Sequence, residues 1–114
     1  MFSISHSYGA YTEKAAWLAS KFQKRGFDVV GQDMRPFGQS ETKYPGLIDD
    51  PSVQVDDSYR FLKALTKRDS DAESPLVLYG YSLGATMCMG SYFNLLEKDQ
   101  ELAARVKAII LVCP

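Results

Sequence analysis

The sequence predicts an α/β fold, a mostly parallel sheet of about four strands with helices on both faces. Three observations lead there. Four short apolar runs alternate with three longer segments whose apolar residues recur at helical spacing. Each intervening segment is long enough for a right-handed crossover between parallel neighbours. A length of 114 residues gives room for one core, so residues 1–114 read as one domain or part of one, with no second.

Met1 to His6 reads as the first strand. Tyr11 to Arg25 then places Ala15, Leu18, Ala19 and Phe22 on one helix face and turns Lys14, Lys21, Lys24 and Arg25 to water. Gly26 stands where a helix ends in a left-handed residue, and Phe27 to Gln32 follows as a strand ending at Asp33. From Met34 to Pro51 the periodicity is lost among Pro36, Gly38, Pro45 and Gly46, which predicts a long loop with a turn at Pro36-Phe37-Gly38.

A second helix begins near Ser52, with a core stripe of Val55, Tyr59, Leu62 and Thr66 widened by Phe61 and Leu65, and with Lys67 and Arg68 suiting its C-terminal end. Asp69 to Ser74 is a polar connector. Pro75 to Gly80 is a continuous apolar run of the kind buried on both faces of a parallel sheet, with Pro75 tolerated as its first residue. A helix from Leu83 to Lys98 with a polar extension through Arg105 leads to a last buried strand, Lys107 to Cys113.

Composition excludes several classes of function. Hydrophobic residues at 46% and charged residues at 24% are those of a globular chain, not a disordered or low-complexity one. Thirteen Lys and Arg against 14 Asp and Glu leave a net charge of -1, which offers no field for nucleic acid or anionic lipid. Cys88 and Cys113 lie in apolar surroundings that suit buried thiols, and two cysteines with one histidine make no metal framework. No apolar run approaches the ~20 residues that span a bilayer, and Met1 to His6 lacks the build of a signal peptide, so a reducing cytoplasmic setting is the default expectation.

Ligands of parallel sheets gather at the carboxyl ends of strands, here His6 to Gly9, Asp33 to Ser40, Gly80 to Gly84, and Cys113-Pro114. The third of these reads Gly80-Tyr81-Ser82-Leu83-Gly84, a G-x-S-x-G sequence between a predicted strand and a predicted helix. In such a turn, side chains at the glycine positions would collide with neighbouring backbone, while the serine is held strained with its hydroxyl exposed. The Leu83 N–H, at the helix start, points toward an oxyanion formed at Ser82. The plainer alternative is a glycine-flanked turn with an incidental serine.

Together with His6-Ser7-Tyr8-Gly9 and Asp33-Met34-Arg35-Pro36-Phe37-Gly38-Gln39-Ser40-Glu41, this order of motifs resembles the α/β-hydrolase family, nearest its monoacylglycerol lipase and serine aminopeptidase S33-like branch. The resemblance spans nearly all 114 residues and implies a partial hydrolase domain, strands three to six of a typically eight-stranded fold. By resemblance Ser82 is the nucleophile, Gly80 and Gly84 form its elbow, and His6 to Gly9 form the oxyanion turn whose Tyr8 N–H joins that of Leu83. Ser7 stands where the family usually has glycine, and Ala85 where a further glycine is common.

The same resemblance implies hydrolysis of carboxylic esters of lipids or small acids through an acyl-enzyme, with no metal or organic cofactor and a small-molecule acyl substrate. A serine aminopeptidase-like action on amide bonds and a non-catalytic binding module are the alternatives. The family's acid and histidine follow the seventh and eighth strands, and its lid follows the sixth, so none has a counterpart in this stretch.

His6, the only histidine, is expected to orient the turn through backbone hydrogen bonds. Asp33 is expected to accept N–H groups of the loop through Ser40, and Arg35 to pack on the loop or the surface. Met87, Cys88 and Met89 read as helix packing, and Glu97 to Glu101 as a solvated helix face. Tyr81 either lines a substrate pocket or packs beside one. The strand at Met1 to His6 is expected between those at Phe27 to Asp33 and Leu76 to Gly80, leaving Lys107 to Cys113 at an edge open to self-association.

Overall fold

A computed structural model describes residues 1–41, 43–68 and 73–114. Four strands, β1 (Phe2–Ser5), β2 (Val29–Gly31), β3 (Leu76–Tyr81) and β4 (Val106–Val112), form one sheet in the order β2, β1, β3, β4. Every pairing is parallel, with Phe2 opposite both Val29 and Val77, and Ser5 opposite Gly80. The expected order is observed. Of the connector expected at Asp69 to Ser74, residues 69–72 lie outside the described residues.

The helices are α1 (Ala16–Gln23), α2 (Pro51–Thr66), α3 (Leu83–Lys98) and α4 (Gln100–Arg105). Asp50 caps α2 by accepting from the Ser52 N–H at 2.9 Å, with Pro51 at the first turn, where its missing N–H costs nothing. The polar extension is a separate helix. Asp99 leaves helical geometry, and its Oδ1 accepts from Leu102 N–H at 3.1 Å as the cap of α4. Its other oxygen meets Lys63 Nζ at 3.3 Å, so the Glu97 to Glu101 run is not merely a solvated face.

The main core lies between the sheet and the α2–α3 pair, where Leu76, Leu78, Leu62, Cys88 and Leu95 are buried together with Leu102 and Ala103 of α4. A Cβ on Gly90 of α3 would come within 2.8 Å of Val55 Cγ2 of α2, a measure of how closely these helices approach. Met87 is also buried, so this part of the methionine and cysteine cluster is packing.

The opposite face differs from expectation. Its helical segment opens with a 3-10 turn at Thr12–Ala15 before α1, and the stripe Ala15, Leu18, Ala19 and Phe22 is only half-buried. One short helix covers Phe2, which Phe22 stacks at 3.9 Å, and leaves the neighbouring strands open. Alternate residues of β3 (Val77, Tyr79, Tyr81) are therefore partly accessible, and β4 has no fully buried residue. The reading of both as strands buried on two faces is corrected here: an apolar run reports what a strand requires, and only one face of β3 and neither face of β4 is fully covered. Cys113 is exposed at a positive φ of 48°, unlike the buried Cys88. The second strand is also shorter than Phe27 to Asp33, because Phe27 N–H turns back to Phe22 O and Asp33 is drawn into the loop.

Candidate active site

β3 ends at Tyr81 and α3 begins at Leu83, so the chain turns from strand to helix through Ser82 alone. Ser82 takes φ 54° and ψ -118°, a sparsely populated conformation that costs about 1–3 kcal/mol and persists only where surroundings enforce it. Two backbone bonds do so: Ser82 N–H donates to Val112 O at 2.8 Å, and Ala85 N–H donates to Ser82 O at 2.8 Å.

The flanking glycines explain the tightness. A Cβ on Gly80 would lie 2.3 Å from Gly84 O, and one on Gly84 would lie 2.2 Å from Ser5 O and 2.6 Å from His6 O. All are backbone atoms that cannot swing aside. The result is an exposed serine hydroxyl at the N-terminus of a 16-residue helix, where free N–H groups and the helix dipole favour negative charge. Leu83, whose N–H opens α3, packs its half-buried side chain on the Met34, Phe37 and Met87 cluster.

The same close approach sets the end of β1 against the start of α3. Ser7 to Ala10 forms a turn closed by Ala10 N–H to Ser7 O at 3.2 Å, with Gly9 at φ 69°. Ser7 keeps a negative φ, so its Cβ is tolerated where glycine is usual.

His6 is 4% exposed and held at both nitrogens. Nε2 accepts from the Met34 N–H at 2.8 Å, and Nδ1 lies 2.8 Å from Ser7 O, which can only accept. The proton therefore sits on Nδ1 and the ring is neutral. Neither nitrogen can take a proton from Ser82 without giving up a backbone partner.

Asp33 holds the loop as expected. Its Oδ1 accepts from Thr12 N–H at 2.7 Å and its Oδ2 from Gln39 N–H at 2.9 Å, while the Ser40 hydroxyl donates to Asp33 O. Partial burial pushes this carboxyl upward, but the Thr12 and Gln39 N–H donors outweigh it and the group sits below its ordinary value. A lowered carboxyl stabilises fully above the unfolded value, about 3.9, and loses that contribution as pH falls through the folded value. Asp33→Asn should accordingly lower the urea midpoint near pH 6, and the gap from the unsubstituted chain should narrow as pH falls through the lowered folded value of Asp33. A gap independent of pH would exclude the charged carboxylate as its source.

Two contacts of this loop were not legible in sequence. Arg35 forms a fork with Asp57 of α2, its Nε and Nη2 reaching the carboxylate at 2.6 to 2.9 Å. The buried Gln54 donates its amide to Arg35 O at 2.9 Å. Their only advance signal was an unremarkable polar stretch on α2.

Tyr81 is 44% exposed and lines a groove of about 470 Å³ between α1 and the open face of β3 and β4. Trp17, Leu18, Tyr79 and Val112 form its apolar walls, with His6 and Ser7 at one end. Among the described residues, no cluster of three or more His, Cys, Asp or Glu could hold a metal ion, and no helix is long and apolar enough to cross a membrane.

Comparison with known proteins bears on this geometry. The family model described as serine aminopeptidase, S33, matches residues 1–114. A thiohydrolase, aneE, from Aspergillus aculeatus is 31% identical over 113 residues, which is 97% of this chain and 32% of that protein. The chain thus spans about a third of the length of the curated relative it matches. The crystal structure of a lipase-esterase related protein from Clostridium acetobutylicum superposes with a TM-score of 0.68 at 17% identity, over 96% of this chain and 40% of that one. At that identity the likeness is one of fold.

Proposed function

The chain belongs to the serine aminopeptidase S33 family of hydrolases, with a partial α/β-hydrolase fold, and on that premise we propose that it is the nucleophile-bearing part of a serine hydrolase. The strained, exposed Ser82 at the head of α3 carries this reading. Ser82 Oγ attacks the carbonyl carbon of a carboxylic ester as its proton passes to a general base. Negative charge on the carbonyl oxygen is met by the Leu83 and Tyr8 N–H groups, and the alcohol leaves with a proton. Water then attacks the acyl-enzyme, which releases the acid and restores the serine hydroxyl.

Esters of lipids or other small acids are the favoured substrates. Thioesters follow the same chemistry with a thiol as leaving group, and the relative described as a thiohydrolase supports including them. Since His6 is the only imidazole in these 114 residues and is committed to backbone, base and acid would come from sequence outside them. The same commitment favours a second reading, a hydrolase-like module that binds without turnover.

The two readings separate in a chain extended by a downstream Asp and His at strand ends. A fluorophosphonate probe should label Ser82 rapidly there and not label Ser82→Ala. No labelling of the extended chain would leave the binding module standing.

A further inference from the structure

The acyl-transfer reading uses the main-chain N–H of Tyr8 and gives its side chain no task. Tyr8 is 62% exposed, yet its phenol donates to Gly46 O at 2.7 Å, across 38 residues. Its ring stands edge-on to Phe37 at 5.0 Å and 76°, and the His6 ring meets the same Phe37 at 5.9 Å and 83°. Phe37 is itself buried with Met34 and Met87 against Leu83. The Ser7 to Ala10 turn is thus fastened to the long loop at two points, through His6 below and through the Tyr8 hydroxyl above.

Among the described residues, little else fixes the direction of the peptide N–H groups within the turn. One bond of 3.2 Å closes it, and Gly9 at its positive φ has the freedom to rotate. An oxyanion donor is effective only when aimed before the charge develops. The receiving carbonyl belongs to Gly46, whose own N–H donates to Pro36 O at 3.4 Å, so the anchor is part of the same loop that Asp33, Arg35 and Gln54 pin down.

The geometry points to the Tyr8 phenol as a positioning residue: by fastening to Gly46 O it aims the Tyr8 main-chain N–H at the oxyanion. This assignment rests on the acyl-transfer reading of Ser82. The hydroxyl touches no reacting atom and acts through the turn.

Tyr8→Phe keeps the ring on Phe37 and removes only the donor. In the 114-residue chain, hydrogen exchange of the Ala10 amide, whose bond to Ser7 O closes the turn, should quicken about tenfold, with the Ala85 amide unchanged. In the chain extended by the downstream Asp and His, phosphonylation of Ser82 by a fluorophosphonate, followed by mass near neutral pH, should slow about tenfold. Tyr11→Phe should alter neither.

Unchanged exchange would overturn the assignment, since the clasp would then hold nothing. Faster exchange with unchanged phosphonylation would also overturn it, leaving Tyr8 a structural contact. If the extended chain with Tyr8 intact takes no label at Ser82, the acyl-transfer reading fails and the assignment falls with it. A labelled parent with an indifferent Tyr8→Phe sinks the assignment alone.

Discussion

Gly84→Ala should cost the chain at least about 3 kcal/mol, at or beyond the upper end of ordinary overpacking. The added methyl would sit 2.2 Å from Ser5 O and 2.6 Å from Ser5 C, so α3 must lift away from β1 to admit it. That displacement opens the contacts of Met87, Cys88, Ser91 and Leu95, the buried face of the helix. Gly80→Ala should behave alike, because its methyl meets Gly84 O at 2.3 Å.

Gly26→Ala is the control. It has a positive φ of 83° but nothing within 4 Å, so it should cost only about 1 kcal/mol through backbone strain. Folded chains of this length carry roughly 6–17 kcal/mol of stability, and an open sheet face argues for the low end. Denaturant titration of the three variants reads the order directly. A Gly84→Ala midpoint equal to that of Gly26→Ala would mean that the close approach of α3 to β1 is not what glycine secures.

Gly80 and Gly84 also explain why the strand-to-helix turn at Ser82 was the most legible part of the chain. G-x-S-x-G is local, and its spacing encodes one constraint, a strand turning into a helix with no room for side chains. The Asp33 loop was legible for a similar reason, since a short carboxylate just before a Pro-Phe-Gly turn has nearby N–H groups to accept. Contacts distant in sequence left no such mark. Nothing about Tyr8 or Gly46 alone foretells a bond across 38 residues, and Arg35 gives no hint that Asp57 is its partner.

The fold shows the same division. Helical and strand periods placed β1, α2, β3 and α3 almost to the residue, because those elements supply or face the α2–α3 core. Burial was misjudged on β4 and the outward residues of β3. Their apolar runs match a sheet covered on both sides, whereas α1 is eight residues long and its Phe22 stacks on Phe2. A periodic pattern states which surface must be covered, and it is silent on what covers it.

The 114-residue chain should hydrolyse an activated ester at a rate that Ser82→Ala leaves within about twofold. A serine hydroxyl is a weak nucleophile until a neighbouring base accepts its proton, and triad members act as a unit, so losing the base forfeits nearly all that the serine contributes. His6 is the only imidazole, and its Nε2 is filled by the Met34 N–H at 2.8 Å. What survives in such sites is oxyanion stabilisation and binding, worth on the order of 10³–10⁴ over water in a fully formed enzyme and independent of the serine hydroxyl. Steady-state assays of the chain and of Ser82→Ala with a p-nitrophenyl ester would test this. A fall of tenfold or more on removing Ser82 would show that a base does reach it. His6→Gln would then identify that base: loss of the remaining rate would require the imidazole to leave Met34 during turnover, and no loss would place the base elsewhere in the chain.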